Sequence, residues 1–435
     1  MEKIILSIEK NAGLPMCSLV TREDAEYAHS IIKRICAEVG PGCPGSPQEQ
    51  ARAMIVKNEL EKVTDNVTIE NFSFAPNAFL GWFKLGMILL IISVIFFYLS
   101  LLDIAPLVFA ILACSVATFI FLMMELEFLR SREFIDWLYK KYESTNVVGT
   151  IRPKEREEIK RILIYSGHHD SSLQFTWFRY LKSGCYLAIG IIVIAVILLL
   201  VSTAIRLLSV ALSISDEWNV SFFTVLTWTI FPAGIVFGIF FTERGKNGGR
   251  VPGAVDNLSG VSLAVAVARV LKANPGIHPP QTEVRFISFG AEEASVRGSR
   301  AYVRQHLTEL KYHDVVCLNF ESIAHPEITI YKSDLNNSLK FDPAIVTAVA
   351  EAAIQAKVPH NIKPFPFGGA ATDAAPFVKA DLKAISLCAL KFPHQMLAFY
   401  HQEFDTPDKV EIDALQNALQ IAIEFMRGFN REDKT

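Results

Sequence analysis

Cysteine is scarce in this chain, and the cysteines present are not paired. The 7 cysteines among 435 residues are scattered, and no Cys-x-x-Cys spacing occurs. An odd, dispersed set is poor material for a disulfide framework and favours a reducing compartment. The first residues, MEKIILSIEKNAG, have an apolar run too short for a signal peptide. We therefore expect the folded part of the protein to face a reducing compartment.

The chain also lacks an excess of positive charge. Its formal net charge is −3, and no basic stripe with interleaved aromatic residues is present. This absence argues against a nucleic-acid partner. No internal repeat and no low-complexity linker divides the chain. By contrast, 51% of the residues are hydrophobic, which is high for a soluble protein and typical of one partly embedded in a membrane.

Four long apolar runs have no charged residue in their cores, at 85–102, 104–126, 184–205 and 220–241. About 20 helical residues cross the roughly 30 Å hydrocarbon core of a bilayer. Core helices of a soluble protein are the alternative, but four uncharged runs of this length disfavour it. We predict four transmembrane helices and a lipid bilayer as partner.

The runs come in two closely spaced pairs, so each pair predicts a hairpin that returns the chain to the side it left. The remaining segments then share one side and form one interrupted catalytic domain. The predicted order is catalytic domain, first part, 1–80; transmembrane hairpin, 81–126; catalytic domain, second part, 127–182; transmembrane hairpin, 183–242; catalytic domain, third part, 243–435.

Outside the hairpins, helical and strand patterns alternate. Helices are predicted at 21–40, 48–63, 259–273, 298–311, 343–356 and 411–429. Strands are predicted at 66–74, 146–153, 161–167, 284–290, 315–320, 361–367 and 383–390. Short apolar strands between helices indicate an α/β fold, a mixed sheet sandwiched by helices.

Five short motifs with metal-ligand side chains follow or end predicted strands, or open a helix. They are His168-His169-Asp170, Asp256-Asn257, Glu292-Glu293, Asn319-Phe320-Glu321 and Tyr400-His401. Ligands in such sheets lie beyond the carboxyl ends of the strands, so these motifs are expected to meet there. Carboxylate oxygen and imidazole nitrogen predict a metal site.

Individual motifs suggest roles. Asp170 is placed to accept a hydrogen bond from the ring nitrogen of His168 that does not bind metal. His169 is the competing ligand, expected to point the other way. The adjacent Glu292 and Glu293 repel each other unless a metal or a proton pairs them. One can bind metal while the other takes the proton of the attacking water.

The remaining motifs allow more than one interpretation. Asp256 lies in a glycine-flanked turn, where a carboxylate can bridge two metals or merely cap a helix. Glu321 follows a very apolar strand and is costly there unless paired. Tyr400, beside His401, has a phenol able to donate to a developing oxyanion.

In this order the motifs resemble those of the family-28 metallopeptidases, co-catalytic di-zinc exopeptidases that include leucyl aminopeptidases, aminopeptidase Y and glutamate carboxypeptidase II. The resemblance runs from GPGCPGSPQEQ to YHQEFDTPDKVE. It implies the zinc-exopeptidase fold and two Zn²⁺ per chain. His168 and Glu321 would hold one zinc, Glu293 and His401 the other, and Asp256 would bridge them.

The resemblance also assigns the chemistry. Glu292 would be the general base, Asp170 would orient His168, and Tyr400 would donate to the oxyanion. A cis peptide bond is implied after Asp256. The residue that aligns with the family's Ser-Asp motif, Asp373, has no role assigned.

Three departures from the family pattern matter. Many relatives have aspartate at the position of Glu321, whose longer side chain still reaches a metal. Relatives often have Asp-Asp-Asn where this chain has Val255 before Asp256, which leaves the bridging position intact. The hairpins are absent from the soluble members, so substrate preferences do not transfer safely.

The function expected is a membrane-embedded aminopeptidase that releases N-terminal amino acids from peptide substrates. A metallocarboxypeptidase is the closer alternative and needs a cationic pocket, for which Arg297, Arg300 or Lys391 are candidates. A one-zinc glutaminyl cyclase and a non-catalytic membrane scaffold are disfavoured by the complete ligand set. The oligomeric state is not predicted.

Basic residues flank the membrane segments on the catalytic side. They are Lys84, Arg130, Arg132, Lys140, Lys141, Arg179, Lys182, Arg244, Lys246 and Arg250. The far loops carry only Arg206 as a basic residue. Positive charge near segment ends stays cytoplasmic, so a cytoplasmic catalytic domain is expected. The alternative is a large domain that translocates regardless of charge.

Overall fold

A computed structural model describes residues 19–153, 158–242, 248–366 and 371–432. The N-terminal stretch MEKIILSIEKNAG, together with Arg244, Lys246 and the last residue of the predicted strand 361–367, lies outside the described residues.

The described chain alternates helices and strands around two long apolar insertions. The helices are α1 Arg22–Glu38, α2 Pro47–Val63, α3 Ala78–Leu99, α4 Pro106–Leu122, α5 Thr176–Tyr180, α6 Cys185–Leu212, α7 Glu217–Trp228, α8 Ile230–Ile239, α9 Ser259–Ala273, α10 Arg297–Tyr312, α11 Pro343–Gln355, α12 Ala375–Lys379, α13 His394–Ala398 and α14 Ile412–Glu432. The strands are β1 Asn66–Phe74, β2 Tyr142–Ile151, β3 Arg161–His168, β4 Thr282–Phe289, β5 Asp314–Ile323, β6 Ile328–Tyr331, β7 Ser333–Asp334, β8 Leu339–Lys340, β9 His360–Lys363 and β10 Lys383–Ala389.

Eight strands form one mixed sheet in the order β1-β2-β4-β3-β5-β10-β6-β9. The central strands β4, β3, β5 and β10 are parallel, while β1, β2 and β6 pair antiparallel with their inner neighbours. Parallel central strands bring their carboxyl ends to one edge. The α/β prediction is confirmed. The short strands β6, β7 and β8 were not predicted, because two to four residues leave no readable periodicity.

The helices that flank the sheet form two groups whose members pack against one another. One group consists of α1, α2, α9, α11 and α14, and the other consists of α10 and α12. The stretch Ala254–Ala273, which ends with helix α9, is enclosed by the sheet domain, since 94% of its most apolar part is buried. It approaches β3 closely at two glycines: a Cβ on Gly167 would lie 2.6 Å from the carbonyl carbon of Gly260. This close approach brings the start of α9 next to the end of β3, where two of the predicted metal-ligand motifs lie.

The apolar insertions form a separate helical cluster. Four helices of the described chain are long and apolar enough to cross a membrane, Ala78–Leu99, Pro106–Leu129, Lys182–Leu212 and Ala254–Ala273, and the last of these is the enclosed helix of the sheet domain. The fourth predicted span, 220–241, is instead a pair, α7 and α8, bent by 41° at Thr229. It is therefore a broken span or a re-entrant segment rather than one straight helix.

The far ends of the two insertions are joined by one partly buried cation. Arg206 on α6 pairs with Asp216 at 2.8 Å and donates to the carbonyl oxygen of Ser100, at the end of α3, at 2.7 Å. Nearer the sheet, α3 packs against α4 and α8, and α4 packs against α6. The insertions thus form one bundle.

Candidate metal centre

The site lies at the carboxyl-end edge of the parallel strands. His168 is the last residue of β3, and Glu321 lies near the end of the neighbouring strand β5. Relative to β10, β5 contains one extra residue, Ser322, directly after Glu321. Such a bulge redirects side chains at the end of a strand, here beside a predicted metal ligand.

Asp256 lies between two groups of metal-ligand side chains. Its Oδ1 is 3.4 Å from His168 Nε2, and its Oδ2 is 2.9 Å from His401 Nε2. Glu321 completes the group with His168, and Glu293 completes the group with His401. Within each group the ligand atoms lie within 4.8 Å of one another. The arrangement is two three-residue clusters that share one carboxylate.

The donor set fits zinc. His168 Nε2 is fully buried and has no hydrogen-bond partner within the described residues, although carboxylate oxygens of Glu292 at 3.5 Å and Glu321 at 3.7 Å face it. A buried polar atom without a partner is uncommon in proteins. Imidazole nitrogens converging with carboxylates match the ligand types of zinc sites with histidine and acidic residues.

Asp170 connects His168 to the loop after β4. Its carboxylate lies 3.2 Å from His168 Nδ1, the ring nitrogen facing away from the cluster. It also accepts hydrogen bonds from the backbone N–H groups of Glu292 at 3.1 Å and Glu293 at 3.0 Å. Asp170 therefore orients both the histidine ring and the acidic pair.

The acidic groups strongly affect one another. Burial raises the pKa of Glu292 and Glu293 well above the usual carboxyl range, and neighbouring carboxylates add to that rise. Burial likewise raises the pKa of Glu321 to about 7. The His168 pKa is raised well above its ordinary value, because the surrounding carboxylates outweigh its burial. Such a cluster needs positive charge to keep its carboxylates ionised.

The competing residue His169 turns away from the cluster. Its Nδ1 lies 2.8 Å from Ser288 Oγ, and burial lowers its pKa to about 4. It is absent from both metal-ligand groups formed by the described residues. Asp373 is also buried, and burial raises its pKa to about 8. The predicted cis peptide bond between Asp256 and Asn257 is confirmed.

Several supporting contacts were not predicted from the sequence. Asp405 accepts hydrogen bonds from the backbone N–H groups of Val255 at 2.7 Å and Asp256 at 3.1 Å. Asn257 Oδ1 accepts from the Ser322 N–H at 3.2 Å. The turn that carries Asp256 is therefore held from both sides.

Two buried charges on α2 extend this support. Glu49 accepts from the Ala291 N–H at 2.8 Å, and Arg52 donates to the His169 carbonyl oxygen at 3.1 Å. One signal was available in the sequence. Glu49 and Arg52 share the helix face of the apolar Val56, where unpaired charges are rarely buried.

A cavity leads to the cluster, and much of its wall comes from the apolar bundle. Glu292, Glu293 and Glu321 lie at one end, and Tyr400 lines it beside His401. The bundle contributes Phe79, Leu80, Phe83, Phe128, Ile189 and Phe241.

Aromatic contacts link the bundle to a metal-ligand residue. Phe83 stacks on Phe241 with ring centroids 4.3 Å apart, and Phe241 contacts Phe175 at 4.7 Å. Phe175 meets the His401 ring edge-on at 4.3 Å. The apolar bundle therefore forms part of the site.

The three basic residues that are candidates for binding a C-terminal carboxylate do not line this cavity. Arg297 is buried and pairs with Glu127 and Asp136, each at 2.8 Å. Arg300 bonds to Ser131 and lies against Glu133. Lys391 is exposed and is not among the described cavity residues. Among those residues, the acidic side chains are Glu292, Glu293 and Glu321, and none is a lysine or arginine.

Part of this chain is similar in sequence to known peptidases. Residues 240–426 match the model described as peptidase family M28. Aminopeptidase YwaD of Bacillus subtilis is 27% identical over 175 residues, which cover 38% of this chain and 35% of that protein's length. The matched stretch thus spans about a third of this curated relative.

Solved structures share the fold. BSAP, a zinc aminopeptidase from Bacillus subtilis, superposes with a TM-score of 0.53 at 15% identity, covering 92% of this chain and 94% of that one. Glutaminyl cyclase from Bacteroides thetaiotaomicron also gives 0.53, at 14% identity, with coverage of 94% and 99%. The fold alone does not separate peptidase from cyclase.

Proposed function

This chain carries a peptidase family M28 domain, and we propose that it is a membrane-embedded di-zinc aminopeptidase. The observation that carries the proposal is the pair of three-residue clusters sharing Asp256. In this proposal His168 and Glu321 would hold one zinc and Glu293 and His401 the other, with Asp256 shared between the two clusters. Bound zinc would supply an activated water molecule and a Lewis acid for the scissile carbonyl.

The chain's own residues move the proton. Glu292 has a carboxylate oxygen 3.5 Å from His168 Nε2 and is outside both ligand groups. It is free to take the proton of the attacking water and then deliver it to the leaving amine. Asp170 keeps Glu292 in place through the backbone N–H bond at 3.1 Å.

Tyr400 is proposed as the oxyanion donor. Its ring stacks on that of His401, with centroids 4.0 Å apart, and it lines the cavity. Burial raises the pKa of Tyr400 well above its usual range, so the phenol keeps its proton at neutral pH. A neutral phenol can donate a hydrogen bond to the developing oxyanion.

The charge of the cavity favours an aminopeptidase over a carboxypeptidase. A free C-terminal carboxylate needs a cation, whereas the described cavity residues offer only carboxylates as charged partners besides His401. Arg297 forms ion pairs with Glu127 and Asp136, so it does not serve as the binding partner of a C-terminal carboxylate.

The second cluster disfavours a glutaminyl cyclase and a non-catalytic scaffold. A one-zinc cyclase needs only one of the two three-residue clusters, and a scaffold needs neither the clusters nor Glu292. Here all of these side chains converge. A cluster of buried carboxylates is costly to retain without bound cations, which supports a functional site.

We further propose that the two insertions, 81–126 and 183–242, are embedded in a bilayer and that the sheet domain is cytoplasmic. The far end of the bundle has Arg206 as its only basic residue, and that charge is neutralised by Asp216 at 2.8 Å. The sheet-facing ends carry exposed cations that include Arg130 and Arg132. This asymmetry follows the positive-inside rule.

The test compares aminoacyl peptides, N-acetylated peptides and N-terminal glutaminyl peptides with purified full-length protein. Release of free N-terminal amino acid from the unblocked peptides alone is expected. Cleavage of blocked peptides from the C-terminus would overturn the aminopeptidase proposal in favour of a carboxypeptidase. Conversion of N-terminal glutamine to pyroglutamate, without peptide cleavage, would favour the cyclase.

A further inference from the structure

A second pocket lies where the first apolar insertion meets the sheet domain, on residues outside the metal centre. Its wall comes from the segment after the seven-residue π-helix Met123–Leu129, from α10 and from the β7–β8 turn. Five cations line it, with two acidic residues. The cations are Arg130, Arg132, Arg300, Arg304 and Lys379; the acids are Glu125 and Glu133. We refer to it as the basic pocket.

The acidic residues neutralise only part of this charge. Glu125 pairs with Arg130 at 2.7 Å. Glu133 lies within ion-pair distance of Arg300 at 3.5 Å, of Arg304 at 3.3 Å and of Arg297, which is outside the pocket lining, at 3.4 Å. The two carboxylates therefore face three arginines of the pocket as well as Arg297, and a positive charge remains.

The other two cations have no acidic partner within ion-pair distance in the described part of the chain. Arg132 is exposed and forms no ion pair there. Lys379 Nζ donates to the backbone carbonyl oxygens of Arg130 at 2.7 Å and Ser131 at 3.5 Å. Carbonyl oxygens orient an ammonium group but do not cancel its charge.

The crowding of cations affects their proton affinities. Burial and the nearby Arg300 and Arg132 lower the pKa of Lys379 to about 8. Burial and Arg297 lower the pKa of Arg300 to about 10. An anion placed among these groups reduces their mutual repulsion, and phosphate oxygens suit the forked donors of arginine.

Position selects the source of the anion. Arg130 directly follows the apolar helix Pro106–Leu129. In the next turn Trp137 is 72% exposed and Leu138 is 44% exposed. Exposed tryptophan beside a membrane helix is typical of the headgroup level. Basic pockets at this level on the cytoplasmic side bind anionic headgroups.

We propose that the basic pocket binds the phosphate group of an anionic lipid, with Arg132 and Lys379 as the principal contacts. The proposal rests on the membrane embedding proposed above and is independent of the peptidase activity. Bilayer insertion is tested separately, by resistance of the protein to alkaline extraction from membranes.

The test measures lipids retained by the purified full-length protein in detergent, using native mass spectrometry with phosphatidylglycerol and phosphatidylcholine. Wild type is expected to retain phosphatidylglycerol preferentially. The double variant Arg132→Gln/Lys379→Gln should lose roughly tenfold or more in affinity for it. The matched control Arg22→Gln/Lys33→Gln, two exposed cations on α1, should bind as wild type does.

Two outcomes overturn the proposal. One is equal retention of the two lipids by wild type, and the other is undiminished phosphatidylglycerol retention by the pocket variant. Thermal unfolding in detergent checks that the variants fold. Arg304→Gln, at a side chain that is 69% exposed, gives a second variant with little structural risk and should also weaken retention.

A final arm separates lipid from free phosphate. Inorganic phosphate is titrated against the bound phosphatidylglycerol. Displacement only at concentrations far above those of the lipid supports the headgroup site. Displacement at concentrations matching those of the lipid would assign the pocket to a soluble phosphate compound and overturn the lipid proposal.

Discussion

Asp405 accepts a hydrogen bond from the backbone N–H of Asp256, with 3.1 Å between that nitrogen and Asp405 Oδ2. The same carboxyl group accepts from the Val255 N–H at 2.7 Å. Asp405 lies four residues after His401 in the chain, so one loop supplies both a proposed zinc ligand and the support of the bridging carboxylate.

Asp405→Ala should weaken zinc binding, because both N–H groups lose their acceptor and the bridging turn loosens. Loss of such support typically costs about 10- to 100-fold in metal affinity. Zinc content measured at buffered free zinc checks this. Asp408→Ala, at a side chain that is 67% exposed, is the control and should retain its zinc. Unchanged affinity in the Asp405 variant would contradict the positioning role.

Glu292→Gln should retain the metals but lose most turnover, because an amide cannot carry the proton. Loss of a general base costs about 10² to 10⁴ in rate. Glu293→Gln should instead lower the metal content. Parallel measurement of kcat and bound zinc separates the two variants. The reverse pattern would mean that the two roles are exchanged.

Protein purified without chelator should contain two zinc ions per chain by elemental analysis. His168→Ala removes a ligand from one three-residue cluster and should lower that number, as should His401→Ala for the other. One ion per chain in wild type, retained in His168→Ala, would contradict the di-zinc proposal. Chelation should abolish activity, and added zinc should restore it.

Phe83→Ala should raise KM for peptides with a large apolar N-terminal residue more than it lowers kcat. Phe83 lines the cavity and stacks on Phe241 at 4.3 Å, and it is not one of the proposed metal-ligand or catalytic residues. Truncating a buried phenylalanine also costs about 3–5 kcal/mol of stability, so unfolding is followed in parallel. Phe96→Ala, on the same helix and outside the cavity, is the control. An unchanged KM for leucyl peptides in Phe83→Ala would argue against a substrate contact.

Single cysteines at Ser213 and Lys332, placed in a cysteine-free background, test the orientation. Both positions are exposed. In intact cells an impermeant maleimide should label position 213, because the far end of the bundle is expected outside the cytoplasm. Labelling at 332 with none at 213 would reverse the proposed orientation.

Much of the fold was readable from local pattern. The strands β3, β4, β5 and β10 are short apolar runs, and the chain places metal-ligand residues at or after three of them. Parallel strands must end at one edge, so the sequence alone predicts that His168, Glu292 and Glu321 lie together. The apolar insertions were equally clear, because apolar runs of membrane length without a charged residue are rare in soluble domains.

Other features depended on contacts between segments distant in sequence. The support of Asp256 by Asp405 spans 149 residues, and the contact of Arg52 with His169 spans 117. No periodicity encodes such pairs. The aromatic contacts from Phe83 to His401 likewise arise from packing between segments distant in sequence.

The sequence by itself therefore determined the ligand types, the sheet edge where they meet and the presence of the apolar insertions, because each follows from local composition and period. Only the tertiary structure decided that the insertions line the cavity at the metal-ligand clusters. It also decided that Arg297 forms ion pairs with Glu127 and Asp136. The grouping of five cations where the first insertion meets the sheet domain is likewise a result of tertiary structure. Those outcomes depend on which surfaces pack together. Burial and ion pairing across such surfaces involve residues far apart in the sequence, so they are set only when the whole chain has folded.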